Sequence, residues 1–252
     1  MNQTVNIVFG LFYLLFGLLI GSFLNVCIYR IPRKESIAFG RSQCTTCNEP
    51  IKAYDLIPVV SFLFLRGKCR NCGSKISARY PLIETLTGIL FLLSYLFFGP
   101  TLKSLLFCAF FAVLVVLALI DFDTQEIPNR LIIAIAVLAA AAVFVEPEIS
   151  IWSRVIGFFI VSVPILLLVL LGGMGGGDLK LMAVSGFLLG AKLIVVAALF
   201  GVLIGGAAGA VILIRKKTGG KAKMAFGPSL AAGLVLASLF GNAIADGYFA
   251  LF

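Results

Sequence analysis

Residues 102–123 read LKSLLFCAFFAVLVVLALIDFD, and no charge falls between Ser104 and Ile120 before two aspartates close the run. A helix rises about 1.5 Å per residue, so a bilayer core about 30 Å thick takes roughly 20 apolar residues per crossing. Stretches of this kind recur along the 252-residue chain, at 5–28, 82–98, 102–120, 130–145, 152–171, 178–190, 192–214 and 228–250. Composition agrees: 61% of residues are apolar and 12% are charged, about half the charged share of a soluble chain. The sequence therefore predicts an all-α polytopic membrane protein with about eight transmembrane helices, the sixth short for a crossing. The run from Ile7 to Ile28 has no Lys or Arg before it and exceeds the roughly 7–15-residue apolar core of a cleavable signal peptide. It is expected to remain as the first span.

With eight spans, 17 of the 20 Lys and Arg residues fall on one side, including Arg30, Arg70, Arg130, Lys180, Lys217, Lys221 and Lys223. Lys103, Arg154 and Lys192 fall on the other. Basic loops stay in the cytoplasm, so the polar stretch 30–80 is expected there and both termini outside. The sequence pI of about 9.4 then reflects topology and a fit to anionic lipid headgroups. Nucleic acid is not an expected partner, because the basic residues lie in loops hugging the membrane. Gly201, Gly205 and Gly209 recur at every fourth position, a spacing that lets helices pack closely in lipid.

The chain has no histidine, which excludes Ser-His-Asp triads, Cys-His and Ser-His dyads and HExxH zinc hydrolases together. Hydrolytic chemistry would have to come from carboxylates, a Ser-Lys pair or a cysteine-only metal site. Cys44-Thr-Thr-Cys47 and Cys69-Arg-Asn-Cys72 form two CxxC knuckles. Each knuckle sets two thiolates on a tight turn, and two turns complete a tetrahedron around Zn2+. Asn48 and Gly73 directly after the knuckles suit such turns. Two disulfides are the competing reading, disfavoured for a cytoplasmic segment where thiols stay reduced. A closed four-sulfur site leaves no open position for catalysis, so the zinc is expected to be structural, holding a segment too small for a strong core. Cys27 and Cys108 lie in apolar spans and read as small buried hydrophobes.

Of the 11 acidic residues, Glu35, Glu49 and Asp55 in the loop and Glu146, Glu148 and Asp246 near the outer face read as solvated. Glu84, Asp121, Asp123, Glu126 and Asp178 remain, all at cytoplasmic ends of spans, where ionisable groups at membrane depth are functional candidates. Asp178 follows Gly172-Gly-Met-Gly-Gly-Gly177, a run that lets the backbone bend and an extended peptide approach the carboxylate. The plainer reading is an ordinary aspartate at a helix N-terminus. A second aspartate on the same face, Asp121, points to peptide hydrolysis by a pair sharing one proton and one water. Helix ends bias the pair, with Asp178 at a positive end and Asp121 at a negative one. The expectation is Asp178 as ionised base and Asp121 as proton donor, titrating jointly.

In order along the chain, Gly21-Ser-Phe-Leu-Asn-Val-Cys-Ile-Tyr-Arg-Ile-Pro32, the two CxxC pairs, Arg79-Tyr-Pro-Leu-Ile-Glu84, Asp121 with Pro128-Asn129, Gly175-Gly-Gly-Asp178 with Lys180, and Phe226-Gly-Pro228 resemble the type IV prepilin leader peptidases. The resemblance implies a GxGD intramembrane aspartate protease of the bacterial inner membrane. It would cut the basic leader of prepilins and pseudopilins at the cytoplasmic face, and then methylate the new N-terminus with S-adenosylmethionine. The cysteine loop favours both activities. Asp121 is chosen over Asp123 because the motif aligns there, and a helix points the two to different faces. For the methyl donor no glycine-rich nucleotide motif is visible, and Glu84 and Arg79 are weak candidates, more simply read as interfacial anchors.

The expected organisation is a first span at 1–29, a cytoplasmic four-cysteine zinc-binding domain at 30–81 and a transmembrane aspartate protease core at 82–252. The alternative, a transporter relaying protons through intramembrane acids, would want acids at mid-span and matched halves, neither of which is present.

Overall fold

The predicted apolar runs form helices in a computed structural model that describes residues 3–216 and 224–249. Lys217, Lys221 and Lys223, part of the basic count above, lie outside the described residues. The chain divides into two compact units, Met1–Val116 and Leu117–Phe252.

In the first unit α1 (Gln3–Arg30) packs along α3 (Arg79–Phe98), and α4 (Leu102–Thr124) begins. Two buried tyrosine hydroxyls inside this packing are paired, as a site without water demands. Tyr13 and Ser104 share a 2.6 Å hydrogen bond, and the Tyr95 hydroxyl donates to the Asn6 carbonyl at 3.2 Å. The loop between α1 and α3 holds a 3-10 turn (Ala53–Leu56), the short helix α2 (Val60–Phe64) and two antiparallel bridges, Gln43 with Pro50 and Lys68 with Lys75. Asp55 is not simply solvated: its carboxylate takes two-pronged hydrogen bonds from Arg70, the shortest 2.7 Å.

The second unit takes the end of α4 and adds α5 (Asn129–Val145), α6 (Ile151–Ile160), α7 (Ser162–Leu170), α8 (Gly176–Lys216) and α9 (Gly227–Phe249). The predicted span 152–171 is broken between α6 and α7, just ahead of Pro164, whose ring clashes with the carbonyl four residues back. At Gly190 the backbone turns to φ 79° and ψ 170°, and α8 folds back on itself. A Cβ on Gly186 would lie 3.3 Å from Ile194, whereas eight residues of straight helix span about 12 Å. Helix α9 runs antiparallel to the second arm of α8, since Gly241 meets Leu193 while Leu230 meets Gly201 and Phe226 meets Gly205. The glycine spacing of the seventh predicted span thus serves the packing of α8 on α9.

Among the described residues six helical stretches are long and apolar enough to cross a membrane, and α5 is a shorter apolar helix of 17 residues. Counting the two arms of α8 separately gives eight apolar segments, in the predicted order. The protein is a multi-pass membrane protein.

One expectation about the Gly190 end of this unit needs correction. Glu146 reads as solvated in the sequence, yet it is buried, as is Arg154, which the sequence only places on the outer side. The Arg154 guanidinium, 0% exposed, donates to the carbonyls of Ala142 and Glu146 at the end of α5. It also donates to those of Phe187 and Leu188 at the end of the first α8 arm. The last carbonyls of a helix have no partner within it, and in lipid they cannot turn to water. One cation inserted between two helix ends solves both problems, and the Glu146 carboxylate lies within its electrostatic reach.

Candidate active site and cysteine cluster

The last turn of α4 carries Asp121, and the first turn of α8 carries Asp178. Both side chains are sunk into the second unit, with 5% and 7% of their surface exposed, and they lie close enough to feel each other's charge. Asp123, two residues on and roughly 200° around the helix, is exposed.

The two helix ends are drawn together by the α4–α5 connection. Ile127 packs against Gly177, where an added Cβ would come 2.8 Å from the isoleucine Cβ. Beside it Lys180 donates to the Asn129 side-chain oxygen at 3.0 Å. The glycine nearest Asp178 is therefore demanded by a neighbouring side chain, while Gly176 has open space around its Cα. The Asp178 carboxylate also accepts the Gly175 N–H at 3.3 Å, as its own N–H donates to the Gly175 carbonyl at 3.2 Å. This is the reciprocal bonding of a helix start, so the plain N-terminal role and proximity to Asp121 coexist.

Asp121 has a partner that sequence reasoning missed. The backbone N–H of Gly227, first residue of α9, donates to Asp121 Oδ2 at 2.8 Å. Asp121 thus ends α4 but also faces the positive end of α9. The sequence-based bias between the two aspartates counted only their own helices, and this third helix removes the asymmetry on which it relied. Phe226-Gly-Pro228 was visible as a motif, but only the fold reveals what its glycine touches.

In the first unit the sulfurs of Cys44, Cys47, Cys69 and Cys72 all lie within 4.8 Å of one another, and no cysteine is in a disulfide. The knuckles share one local design. Asn48 and Gly73 donate to the carbonyls of Cys44 and Cys69, and both adopt left-handed φ, 56° and 70°. Hydrogen bonds from the backbone N–H groups of Cys47 and Thr46, joined by the Ser74 hydroxyl, pull the Cys44 thiol down to about 6. At Cys47 a hydrogen bond from the Glu49 N–H is outweighed by desolvation and by the sulfurs of Cys44 and Cys72, which push it up to about 11. Crowded thiols with backbone donors aimed at them fit a tetrahedral metal. Four zinc–sulfur bonds of about 2.3 Å put sulfurs about 3.8 Å apart, and Cys44 and Cys72 stand at 3.9 Å.

Glu84, in the second turn of α3, is buried and accepts the Val59 N–H at 2.7 Å and a bond from Ser22. Val59 itself holds a φ of 61°, unfavourable for a β-branched residue. Arg79 opens α3, its N–H donating to the Ser77 hydroxyl at 3.2 Å.

Two family models match the chain. One, described as the bacterial peptidase A24 N-terminal domain, covers residues 15–98, and the other, described as the type IV leader peptidase family, covers 108–211. The chain is 37% identical over 238 residues to a prepilin leader peptidase/N-methyltransferase of Bacillus subtilis (strain 168), covering 93% of this chain and 95% of that protein. It is 37% identical over 248 residues to the protein of the same name from Neisseria gonorrhoeae, covering 85% and 84%. With that of Aeromonas hydrophila it shares 32% over 265 residues, covering 93% and 91%. No solved structure matches.

Proposed function

Because the chain belongs to the type IV leader peptidase family, we infer that it removes the leader of type IV prepilins and pseudopilins and N-methylates the newly exposed residue. The observation that carries the peptidase reading is the buried pair of Asp121 and Asp178 on two helix ends of one unit. With one proton between them, the ionised carboxylate takes a proton from a water as that water attacks the scissile carbonyl. The protonated partner gives its proton to the carbonyl oxygen. Collapse of the tetrahedral species returns a proton to the leaving amine. A transporter reading finds no support among the relatives.

The Lys and Arg asymmetry supports an orientation in a bacterial inner membrane with the aspartate ends and the cysteine loop toward the cytoplasm. Cys44, Cys47, Cys69 and Cys72 are assigned a Zn2+ ion of structural role, fixing the loop without entering the chemistry. S-adenosylmethionine is the methyl donor this reading requires. Glu84, engaged by Val59 and Ser22, is assigned to anchoring the loop on α3.

The test mixes purified protein with a prepilin, with and without S-adenosylmethionine, and follows leader loss and methyl gain separately by mass spectrometry. Asp121→Ala and Asp178→Ala should each stop leader loss. Cleavage surviving in either variant removes that residue from the mechanism.

A further inference from the structure

We propose that Gly227 is a positioning residue for the peptidase: its backbone N–H and its missing side chain together set where the Asp121 carboxylate stands. The proposal rests on the reading of Asp121 as catalytic. Three observations in the second unit support it. The Gly227 N–H is one of the orphan donors at the start of α9 and spends itself on Asp121 Oδ2 at 2.8 Å. Pro228 follows at a position where a missing N–H does no harm. A Cβ built on Gly227 would meet Asp121 at Oδ2, Cγ and Cβ, at 2.6, 2.9 and 3.1 Å. Those are the three closest heavy atoms to it, so any side chain at 227 acts on Asp121 before anything else.

The backbone at Gly227 is not in the left-handed region, so glycine is not required there for its own conformation. What the position excludes is bulk against the carboxylate. With Oδ2 committed to α9, Oδ1 is the oxygen left for a water or a peptide, and the docking of α9 on α8 becomes part of the catalytic geometry. Leu230 against Gly201 and Phe226 against Gly205 fix that docking.

The test is Gly227→Ala in the full chain, with a peptide carrying a basic leader and an apolar pilin segment as substrate. A displacement of about 1 Å at a reacting group costs about 100-fold in rate. The expected result is therefore a fall of about that size in kcat with KM within about twofold. Gly206→Ala, whose added methyl meets open space, should match the unchanged protein. A double-variant comparison covers a folding defect. Gly227→Ala should lower the melting temperature when Asp121 is present and lower it clearly less in an Asp121→Ala background, where only the 3.1 Å approach to the Cβ remains. Wild-type kcat in Gly227→Ala, or the same melting loss in both backgrounds, overturns the proposal. Cleavage by Asp121→Ala alone would instead overturn the reading of Asp121 beneath it.

Discussion

Asp121 and Asp178 stand 57 positions apart in the chain, and each carboxylate is held by a glycine N–H, Gly227 for one and Gly175 for the other. Removing the charge from either should lower kcat by about 1,000-fold, within the range of general acid–base catalysis, with melting little changed. Asp121→Asn and Asp178→Asn, assayed for leader loss, check this. Infrared carboxyl bands of the same two variants report which partner carries the proton. Glu84 offers a contrast, a buried carboxylate with a backbone-holding task. Glu84→Ala leaves the Val59 N–H without its acceptor, a loss of about 1–3 kcal/mol, while Glu84→Gln keeps an oxygen there and should lose less. Proteolytic nicking within residues 30–80 and thermal unfolding would show the difference. Both aspartates were legible as residues, because a charge next to an apolar run is conspicuous in a chain that is 12% charged. Gly227 was not, since nothing in a glycine's identity records which side chain it must avoid.

Helix existence followed from apolar runs, but the break ahead of Pro164 did not, because 152–171 reads as one uninterrupted apolar span. The predicted division between 178–190 and 192–214 coincides with the hairpin, although α8 is otherwise continuous helix from Gly176 to Lys216. Gly190→Ala should cost about 1–3 kcal/mol for the backbone alone, since its φ and ψ fall in a region essentially reserved for glycine. Its Cβ would also come within 3.0 Å of Ile149 and Ser153. Arg154→Leu should be worse, by about 3–5 kcal/mol, because it strips donors from four helix-end carbonyls and leaves Glu146 without the adjacent cation. Thermal unfolding in detergent checks both. The sequence misread Glu146 at this end because an acid after an apolar run looks solvated until the buried cation beside it is known.

For the chain as a whole, the cysteine cluster gives a pH prediction with a definite sign. Metal binds thiolates, so protons compete, and the loop should release zinc and become protease-sensitive as the pH falls from about 7 toward 5. Chelation at neutral pH should do the same, with metal release read by a chromogenic chelator. The Asp55–Arg70 pair belongs to a lower window. The Arg70 hydrogen bond holds the Asp55 carboxyl below its usual value, so its contribution is complete above about pH 3.9. It disappears only as the pH drops through the lower folded-state value. Orientation is checked by alkaline phosphatase fusions, expected active after residues 100 and 148 and inactive after 34 and 125.

Taken alone, the amino-acid sequence determined what lipid and charge select locally: apolar runs of spanning length, basic loops on one side, four thiols in two turns, and two aspartates at run ends. Each of these is a property of neighbours along the chain. Only the tertiary structure decided which distant groups meet: Ile127 against Gly177, Arg154 across two helix ends, and the start of α9 on Asp121. Such contacts depend on helix packing through space, where a missing methyl group or one backbone N–H fixes a position that no local pattern encodes.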